Sequence, residues 1–221
     1  MTNINSRFLE SSARMGLSPS PEQAAKLVRW LEAVLDENTR VNLTALRSVD
    51  AALDGLLVDS LALELHLREV PVPAGAVLCD CGSGGGFPGV VAALMHPECT
   101  VHLVESRAKK LLAVQRALGD LPQANMRFAA ERMETLAAGP LRQRVDLMLS
   151  RAVGSVAHVL SLCHSALKPG GVLVLWKSDP LGPEELHAGQ LEAERLGYET
   201  LAPLRYVSFK PSQLVRLRKC T

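Results

Sequence analysis

The stretch Val77-Leu-Cys-Asp-Cys-Gly-Ser-Gly-Gly-Gly-Phe-Pro-Gly89 decides the fold of this 221-residue chain. An apolar run leads into its glycines, and a proline-glycine step then opens a helical segment. Glycines let the backbone turn sharply and approach a ligand with no Cβ in the way. In an open α/β sheet, ligands bind beyond the carboxyl ends of the strands, where the strand order reverses. The stretch therefore predicts the first strand and the ligand-binding turn of a doubly wound α/β domain.

Short apolar runs alternate with helical segments downstream of this turn, which predicts a parallel sheet covered on both faces. The tail predicts two last strands that pair as an antiparallel edge, a frequent feature of such sheets. The sequence thus predicts a mostly parallel, seven-stranded sheet. We expect strands at 77–79, 101–104, 126–129, 145–149, 172–176, 198–207 and 213–219, and helices near 88–95, 107–118, 131–137 and 155–166.

The chain upstream of the glycine-rich turn has a helical pattern. Ser20-Pro-Glu-Gln23 offers an N-cap residue followed by proline at the first helical position. Residues 49–67 carry leucines at helical spacing and predict one amphipathic helix. We therefore expect two parts: a helical extension over 1–74 that packs on the sheet, and a ligand-binding domain over 75–221.

Composition and charge exclude some classes of protein. Apolar residues make up 48% of the chain, enough for a large core, yet runs such as 171–176 are too short to cross a bilayer. Residues 1–17 lack the apolar segment of a signal peptide, and the five scattered cysteines match no metal-binding spacing. We expect a cytoplasmic protein with no membrane or metal partner.

The charge distribution indicates where an anionic partner would bind. The net charge of the whole chain is only +1, but the two parts differ in sign. Residues 1–74 hold 7 basic and 10 acidic side chains, whereas residues 75–221 hold 17 and 13. An anionic partner is therefore expected on the second part.

Two cofactors fit a glycine-rich turn followed by an acidic residue at the end of the second strand. Glu105 occupies that position and can accept both ribose hydroxyls of an adenosine, and a nicotinamide dinucleotide would use the same features. Phe87, however, stands where the third glycine of a dinucleotide motif belongs, after Gly82 and Gly84. Asp80 would repel a pyrophosphate and would suit the ammonium group of methionine from the pocket floor. These observations favour S-adenosylmethionine.

The segment from Asp80 to Gly89 resembles the D-x-G-[ST]-G-x-G-[FL]-P-G signature of the RsmG (GidB) family. That family consists of bacterial methyltransferases that modify the N7 nitrogen of a guanine in 16S ribosomal RNA. The resemblance extends over roughly residues 38 to 180. Further similar elements are Asn42-Leu-Thr, Leu57-Val-Asp-Ser60, Glu105-Ser with Lys109-Lys110, Arg132-Met-Glu134, Ser150-Arg-Ala152 and Lys177.

The resemblance implies a Rossmann-like class I methyltransferase fold with S-adenosyl-L-methionine as cofactor. It also implies that the enzyme acts on small-subunit ribosomal RNA or a ribosomal particle. We expect the protein to be a monomer. By resemblance, residues of the glycine turn, of the helix after the third strand and of the fourth strand line the cofactor site: Gly82, Phe87, Met133, Glu134 and Arg151. Phe87 is equally well explained as a core residue beneath the turn.

Basic side chains are the candidates for positioning RNA. Arg107, Lys109 and Lys110 fall in the first turn of a helix, where positive charge opposes the helix macrodipole. A helix start without a ligand would favour acidic residues, so a phosphate-contacting role is expected, with a solvated surface as the alternative. We assign the catalytic positioning of RNA to Arg151, Lys109 and Lys177.

This sequence departs from the family pattern at four positions. Gly55 and Leu56 stand where the family has Arg and His, Ser178 replaces a Gly, and Ser212 aligns with an Arg-His pair. These differences keep two alternatives open. One is a methyltransferase of the same fold with another RNA or a small molecule as substrate. The other is a non-catalytic RNA-binding assembly factor.

Overall fold

The computed structural model describes residues 4–220 and contains the predicted seven-stranded sheet. Its strands are β1 (Val77–Cys81), β2 (Thr100–Val104), β3 (Met126–Ala129), β4 (Val145–Arg151), β5 (Leu167–Ser178), β6 (Tyr198–Val207) and β7 (Pro211–Lys219). The order across the sheet is β3-β2-β1-β4-β5-β7-β6, and the two pairings that involve β7 are antiparallel. The predicted sheet, with its antiparallel edge, is confirmed.

Helices cover both faces of this sheet. They are α1 (Ile4–Arg14), α2 (Pro21–Glu37), α3 (Val49–Ala52), α4 (Leu63–Glu69), α5 (Gly89–Met95), α6 (Ala108–Leu118), α7 (Met133–Ala138), α8 (Val156–Cys163) and α9 (Pro183–Leu196). Sequence analysis did not predict α9. This helix buries only Gly189 and Ala193, while Leu186 and Leu191 are exposed, so it has no apolar stripe to detect.

The N-terminal helices share an apolar core with the sheet. Phe8 and Trp30 belong to the same buried cluster as Leu78 and Leu103 of the central strands. The rings of Trp30 and Phe87 lie 5.8 Å apart, which connects α2 directly to the glycine-rich turn. Residues of the N-terminal helices therefore help to hold that turn in place.

The prediction of one helix over residues 49–67 is wrong. The α3 helix ends at Ala52, a π-helix follows over Leu53–Val58, and α4 begins only at Leu63. The spacing of the leucines does not distinguish one continuous α-helix from α3, the π-helix and α4, because an apolar repeat in the sequence is compatible with each of these backbone conformations. Short π-helical stretches inside helices are frequent at functional sites. The π-helix over Leu53–Val58 places the backbone of Gly55 beside the end of β4.

Three features of the described residues concern membrane-spanning helices, metal sites and the state of the cysteines. No helix between residues 4 and 220 is long and apolar enough to cross a membrane. Within the same residues, no group of three or more His, Cys, Asp or Glu side chains could hold a metal ion. Four cysteines are buried as free thiols, and Cys220 is exposed.

The N-cap of α2 gives a test of local stability. Ser20 accepts a hydrogen bond from the Gln23 amide, and the Gln23 side chain accepts one from the Ser20 amide. We expect Ser20→Ala to lower the free energy of unfolding by about 1 kcal/mol in denaturant titrations. Ser18→Ala, in the exposed loop before the helix, is the control and should change it by less than about 0.5 kcal/mol. Equal losses in both variants would contradict the capping role.

Candidate active site

A crevice lies at the point where the strand order reverses, between β1 and β4. Cys81 and Ser150 are register partners at the ends of these strands, so the loops that follow them face each other. Gly82 has a φ of +72°, and a Cβ built on it would lie 2.4 Å from Cγ2 of Val153. Only glycine allows the two loops to approach this closely.

Glu105 fixes the glycine-rich turn to the end of β2. One carboxylate oxygen accepts a hydrogen bond from the Gly84 amide at 3.2 Å, and the other accepts one from the Arg107 amide at 2.8 Å. The residue is only 9% exposed. Its carboxylate is held at the edge of the crevice by two backbone donors, and its remaining lone pairs can accept hydroxyl groups of a ligand.

Two adjoining cavities follow this edge of the sheet. The loop cavity has a volume of about 470 Å³, and the inner cavity beside it measures about 190 Å³. They share Gly82, Glu105, Ser106 and Val153. The combined crevice lies in the size range of sites for nucleotide-sized ligands.

Most of the cofactor residues predicted from sequence line these cavities. Gly84, Phe87 and Arg151 line the loop cavity, whereas Met133 and Glu134 line the inner one. Phe87 is only 7% exposed and packs against Trp30, so it serves both the core and the cavity wall. The two explanations of this residue are therefore compatible.

Asp80 is placed differently from the prediction. Its carboxylate is fully buried beneath the start of α5, where it accepts a hydrogen bond from the Gly89 amide at 2.8 Å. It lines neither of these two cavities, so the structure does not place it on the pocket floor as predicted. The Asp80 side chain fits beneath α5 because Gly89 has no side chain that would occupy the same space. Burial raises the pKa of Asp80 to about 7, although the Gly89 amide and Arg151 lower it.

Arg151 lies at the end of β4 and contacts the π-helical segment. Its Nη2 donates to the Gly55 carbonyl at 2.5 Å, and its Nε lies 3.3 Å from Oδ2 of Asp59. The other carboxylate oxygen of Asp59 accepts from the Tyr206 hydroxyl at 2.9 Å and from Ser208 Oγ at 3.0 Å. Arg151 Nη1 is buried without a hydrogen-bond partner among the residues that the structure describes. One nitrogen of this guanidinium therefore has donor capacity that no described residue uses.

A third cavity adjoins the loop cavity on the side of β5 and β7. This outer cavity measures about 490 Å³ and shares Thr44, Leu56, Arg151 and Ala152 with the loop cavity. Ala152 has a φ of +58°, a strained conformation of the kind that clusters at functional sites. All four positions at which the sequence departs from the family pattern line this cavity: Gly55, Leu56, Ser178 and Ser212.

The lysines assigned to RNA positioning have different surroundings. Lys177 lines the outer cavity, but its Nζ donates to the Gly154 carbonyl at 2.5 Å and to Glu185 at 2.6 Å. This arrangement favours positioning of the loop after β4 over direct phosphate contact. Lys109 is exposed on α6 and lines none of the cavities, whereas Arg107 and Lys110 line the loop cavity. None of these last three forms an ion pair within residues 4–220.

Several site residues were not identified from the sequence. Asp59 belongs to the element Leu57-Val-Asp-Ser60, but nothing in the sequence near it indicates that it pairs with Arg151. Val153 and Phe209 belong to no motif, and they reach the site through the loop after β4 and the turn after β6. Trp176, whose Nε1 donates to the Asp59 carbonyl at 2.8 Å, could have been suspected from its position next to Lys177.

The fold, the glycine-rich turn and the carboxylate after β2 together define a Rossmann-like, S-adenosylmethionine-dependent methyltransferase. A solved S-adenosylmethionine-dependent O-methyltransferase from Thermotoga maritima superposes with a TM-score of 0.55. It is 16% identical in sequence, and the match covers 93% of this chain and 73% of that one, so the likeness shows the fold.

The family is shown by sequence comparison. The family model described as "GidB: rRNA small subunit methyltransferase G" matches residues 23–204. A ribosomal RNA small subunit methyltransferase G from Sorangium cellulosum is 34% identical over 215 residues, which cover 96% of this chain and 86% of the relative. One from Acidovorax ebreus is 35% identical over 184 residues, covering 80% and 79%. The chain belongs to the rRNA small subunit methyltransferase G family and uses S-adenosyl-L-methionine.

Gly82 allows a test of the contact between the two loops. Gly82→Ala places a methyl group against Val153, so we expect at least a tenfold weaker affinity for S-adenosylmethionine by calorimetry. Gly75→Ala is a matched control, because Gly75 has a φ of +79° but no atom within 4 Å of its Cβ position. Both variants should lose about 1–2 kcal/mol of stability from the positive φ. The double variant Gly82→Ala, Val153→Ala should recover binding, and no recovery would argue against the steric explanation.

Asp80 gives a pH-dependent prediction. Its pKa of about 7 in the folded protein lies above the ordinary value of 3.8, so the folded state binds the proton more tightly than the unfolded state. This carboxyl group therefore lowers stability as the pH rises from about 4 to about 7. The side chain of Asp80→Asn cannot ionise. The free energy of unfolding of this variant should therefore rise relative to that of the wild type across this pH range, by on the order of a few kcal/mol.

The measurement for Asp80 is the free energy of unfolding of both proteins at several pH values. Asp146→Asn is the control, because Asp146 accepts a backbone hydrogen bond from Val77 but also pairs with Lys168 at 2.7 Å. This control removes an ion pair. Its free energy of unfolding should not rise relative to that of the wild type as the pH increases. A constant difference between Asp80→Asn and the wild type would contradict the prediction.

Proposed function

We propose that this protein transfers a methyl group from S-adenosylmethionine to the N7 nitrogen of a guanine in 16S ribosomal RNA. The observation that carries this proposal is the continuity of the loop cavity with the outer cavity at Arg151 and Ala152. A methyl donor in one cavity and an acceptor base in the other would meet at this junction. Family membership supports the ribosomal substrate.

The donor would lie across the inner and loop cavities. Met133 and Glu134 border the space for the adenine ring, and the Glu105 carboxylate can accept the two ribose hydroxyls. The methionine part would then extend along the glycine-rich turn toward Arg151, whose unpartnered Nη1 can donate to its carboxylate. Asp80 has no direct contact in this arrangement, since it lies beneath α5.

The chemistry requires no general base. The N7 nitrogen of guanine carries a free lone pair and no proton, so it can attack the methyl carbon directly. Catalysis then depends on holding nitrogen, carbon and sulfur in line. The contacts of Arg151 with Asp59 and Gly55 keep the junction rigid, so the positioning is built into the fold.

Basic residues beside the loop cavity are suited to the RNA backbone. Arg107 and Lys110 line the cavity, and Lys109 is exposed on the same first turn of α6. Contacts of this kind add affinity without sequence specificity and weaken with salt. We propose that these three side chains hold phosphates near the target nucleotide. A ribosomal substrate also implies that the protein acts in the cytoplasm, where bacterial subunits are assembled. We further propose that the protein is a monomer.

Glu105 tests the donor site. Glu105→Gln keeps the shape of the side chain but removes the charge that orients the Gly84 and Arg107 amides. We expect about tenfold weaker binding of S-adenosylmethionine, because hydrogen bonds to charged groups contribute about 1.5–3 kcal/mol. Glu131→Gln is the control: Glu131 lines the inner cavity but is exposed. Similar losses in both variants would show a general charge effect and contradict the ribose role.

The reaction itself is tested with 30S subunits from a strain that lacks this modification. The purified protein and labelled S-adenosylmethionine should introduce one 7-methylguanosine into 16S RNA, detected by mass spectrometry of nuclease digests. Naked 16S RNA in a parallel reaction identifies the preferred form of the substrate. Methylation of another atom or another RNA would establish a changed substrate. Binding of the donor and of RNA without turnover would indicate an assembly factor.

A further inference from the structure

Phe209 is a large aromatic side chain left exposed at the outer cavity. It lies on the turn that joins β6 and β7 and is 56% exposed, whereas Phe8 and Phe87 are buried. A Cβ built on Gly55 would lie 3.6 Å from Cγ of the Phe209 ring, so the ring packs over the π-helical segment. The fold fixes one side of this ring but does not bury it.

The outer cavity around Phe209 has the size and lining of a nucleobase site. Its volume of about 490 Å³ lies within the range of small-molecule pockets, and apolar side chains form much of its wall. Lys210 follows Phe209 directly, is exposed and forms no ion pair in the described residues. A planar base with an attached phosphate would match this combination of a ring, an apolar wall and a free cation.

Three of the four departures from the family pattern remove a basic group from this cavity. Gly55, Leu56, Ser178 and Ser212 leave small or apolar groups where the resemblance predicts basic ones at three of the four positions. Lys177 is neutralised by its contact with Glu185. Gly55, Leu56, Ser212 and the paired Lys177 therefore add no free positive charge to the cavity wall, and stacking on Phe209 is an interaction that the wall offers to a base.

We propose that the outer cavity receives the unstacked acceptor guanine and that Phe209 is the surface on which this base stacks. The inference rests on the proposed function and assigns the acceptor side of the same site. The cavity shares Arg151 and Ala152 with the donor cavity, so a base that lies against Phe209 would occupy the cavity next to the donor. Enzymes that modify a base commonly extrude it into such a pocket.

The charge balance of the reaction favours an aromatic surface at this position. The N7 lone pair forms the new N–C bond, the C–S bond breaks, and its electron pair stays on sulfur. No proton moves, and the positive charge passes from the sulfonium to the guanine ring. The face of an aromatic ring attracts such a developing cation, whereas a basic side chain would repel it. Phe209 therefore stabilises the transition state as well as the bound base.

Substitutions at Phe209 test the proposal in single-turnover methylation of unmethylated 30S subunits at saturating S-adenosylmethionine. Phe209→Leu keeps an apolar contact but removes the ring, and we expect the methyl-transfer rate to fall roughly 10- to 100-fold. Phe209→Tyr keeps the ring and should stay within about threefold of the wild type. Leu191→Ala, which removes a side chain that is 54% exposed on α9, is the control and should leave the rate unchanged.

Donor affinity and stability are measured on the same variants. Calorimetry with S-adenosylmethionine should give equal affinities, and thermal unfolding should show that the variants are folded. A wild-type rate for Phe209→Leu, a slow Phe209→Tyr or a loss of donor affinity would each overturn the acceptor assignment while leaving the proposed function in place. Failure of the wild-type protein to methylate guanine N7 would instead overturn the proposed function.

Discussion

The ion pair between Arg151 and Asp59 is the interaction on which the site depends. It joins the end of a central strand to the N-terminal helical segment, and the Tyr206 hydroxyl ties the antiparallel edge to the same carboxylate. Both side chains are largely buried, with 22% and 11% of their area exposed. Removing two charges from water is costly, and hydrogen bonds from Tyr206 and Ser208 offset part of that cost. Such a network specifies one arrangement of three distant segments.

This network connects the N-terminal segment before β1 to the candidate site. Gly55 of the π-helix supplies the carbonyl that holds Arg151, and Asp59, directly after the π-helix, supplies the carboxylate. Thr44 and Leu56 form part of both large cavities. Trp30 of α2 packs against Phe87 beneath the glycine-rich turn. The N-terminal segment therefore contributes to both large cavities, and the sheet and its loops complete them.

Specificity in this architecture would come from the walls of the outer cavity, since the donor side uses features common to the fold. The carboxylate of Glu105, which the amides of Gly84 and Arg107 hold in place, would recognise the ribose of the adenosyl part. The outer cavity instead combines side chains from the N-terminal segment, β5 and the turn after β6. Ser178 and Ser212 line the outer cavity but not the loop cavity, so substitutions at these two positions leave the wall of the loop cavity unchanged.

The sequence by itself determined the parts of this protein that depend on local patterns. Alternation of apolar runs and helices predicted the sheet, and the spacing of Gly82, Gly84 and Glu105 predicted residues that line one crevice. Backbone conformation and hydrogen-bonding capacity are encoded within a few residues, so such features can be read without tertiary structure. The tertiary structure alone decided that Asp80 turns under α5, that Lys177 is neutralised, and that Arg151 pairs with a residue 92 positions earlier in the chain. Those outcomes depend on which segments meet in space, because the direction of a buried polar side chain is set by the partner that packing brings to it.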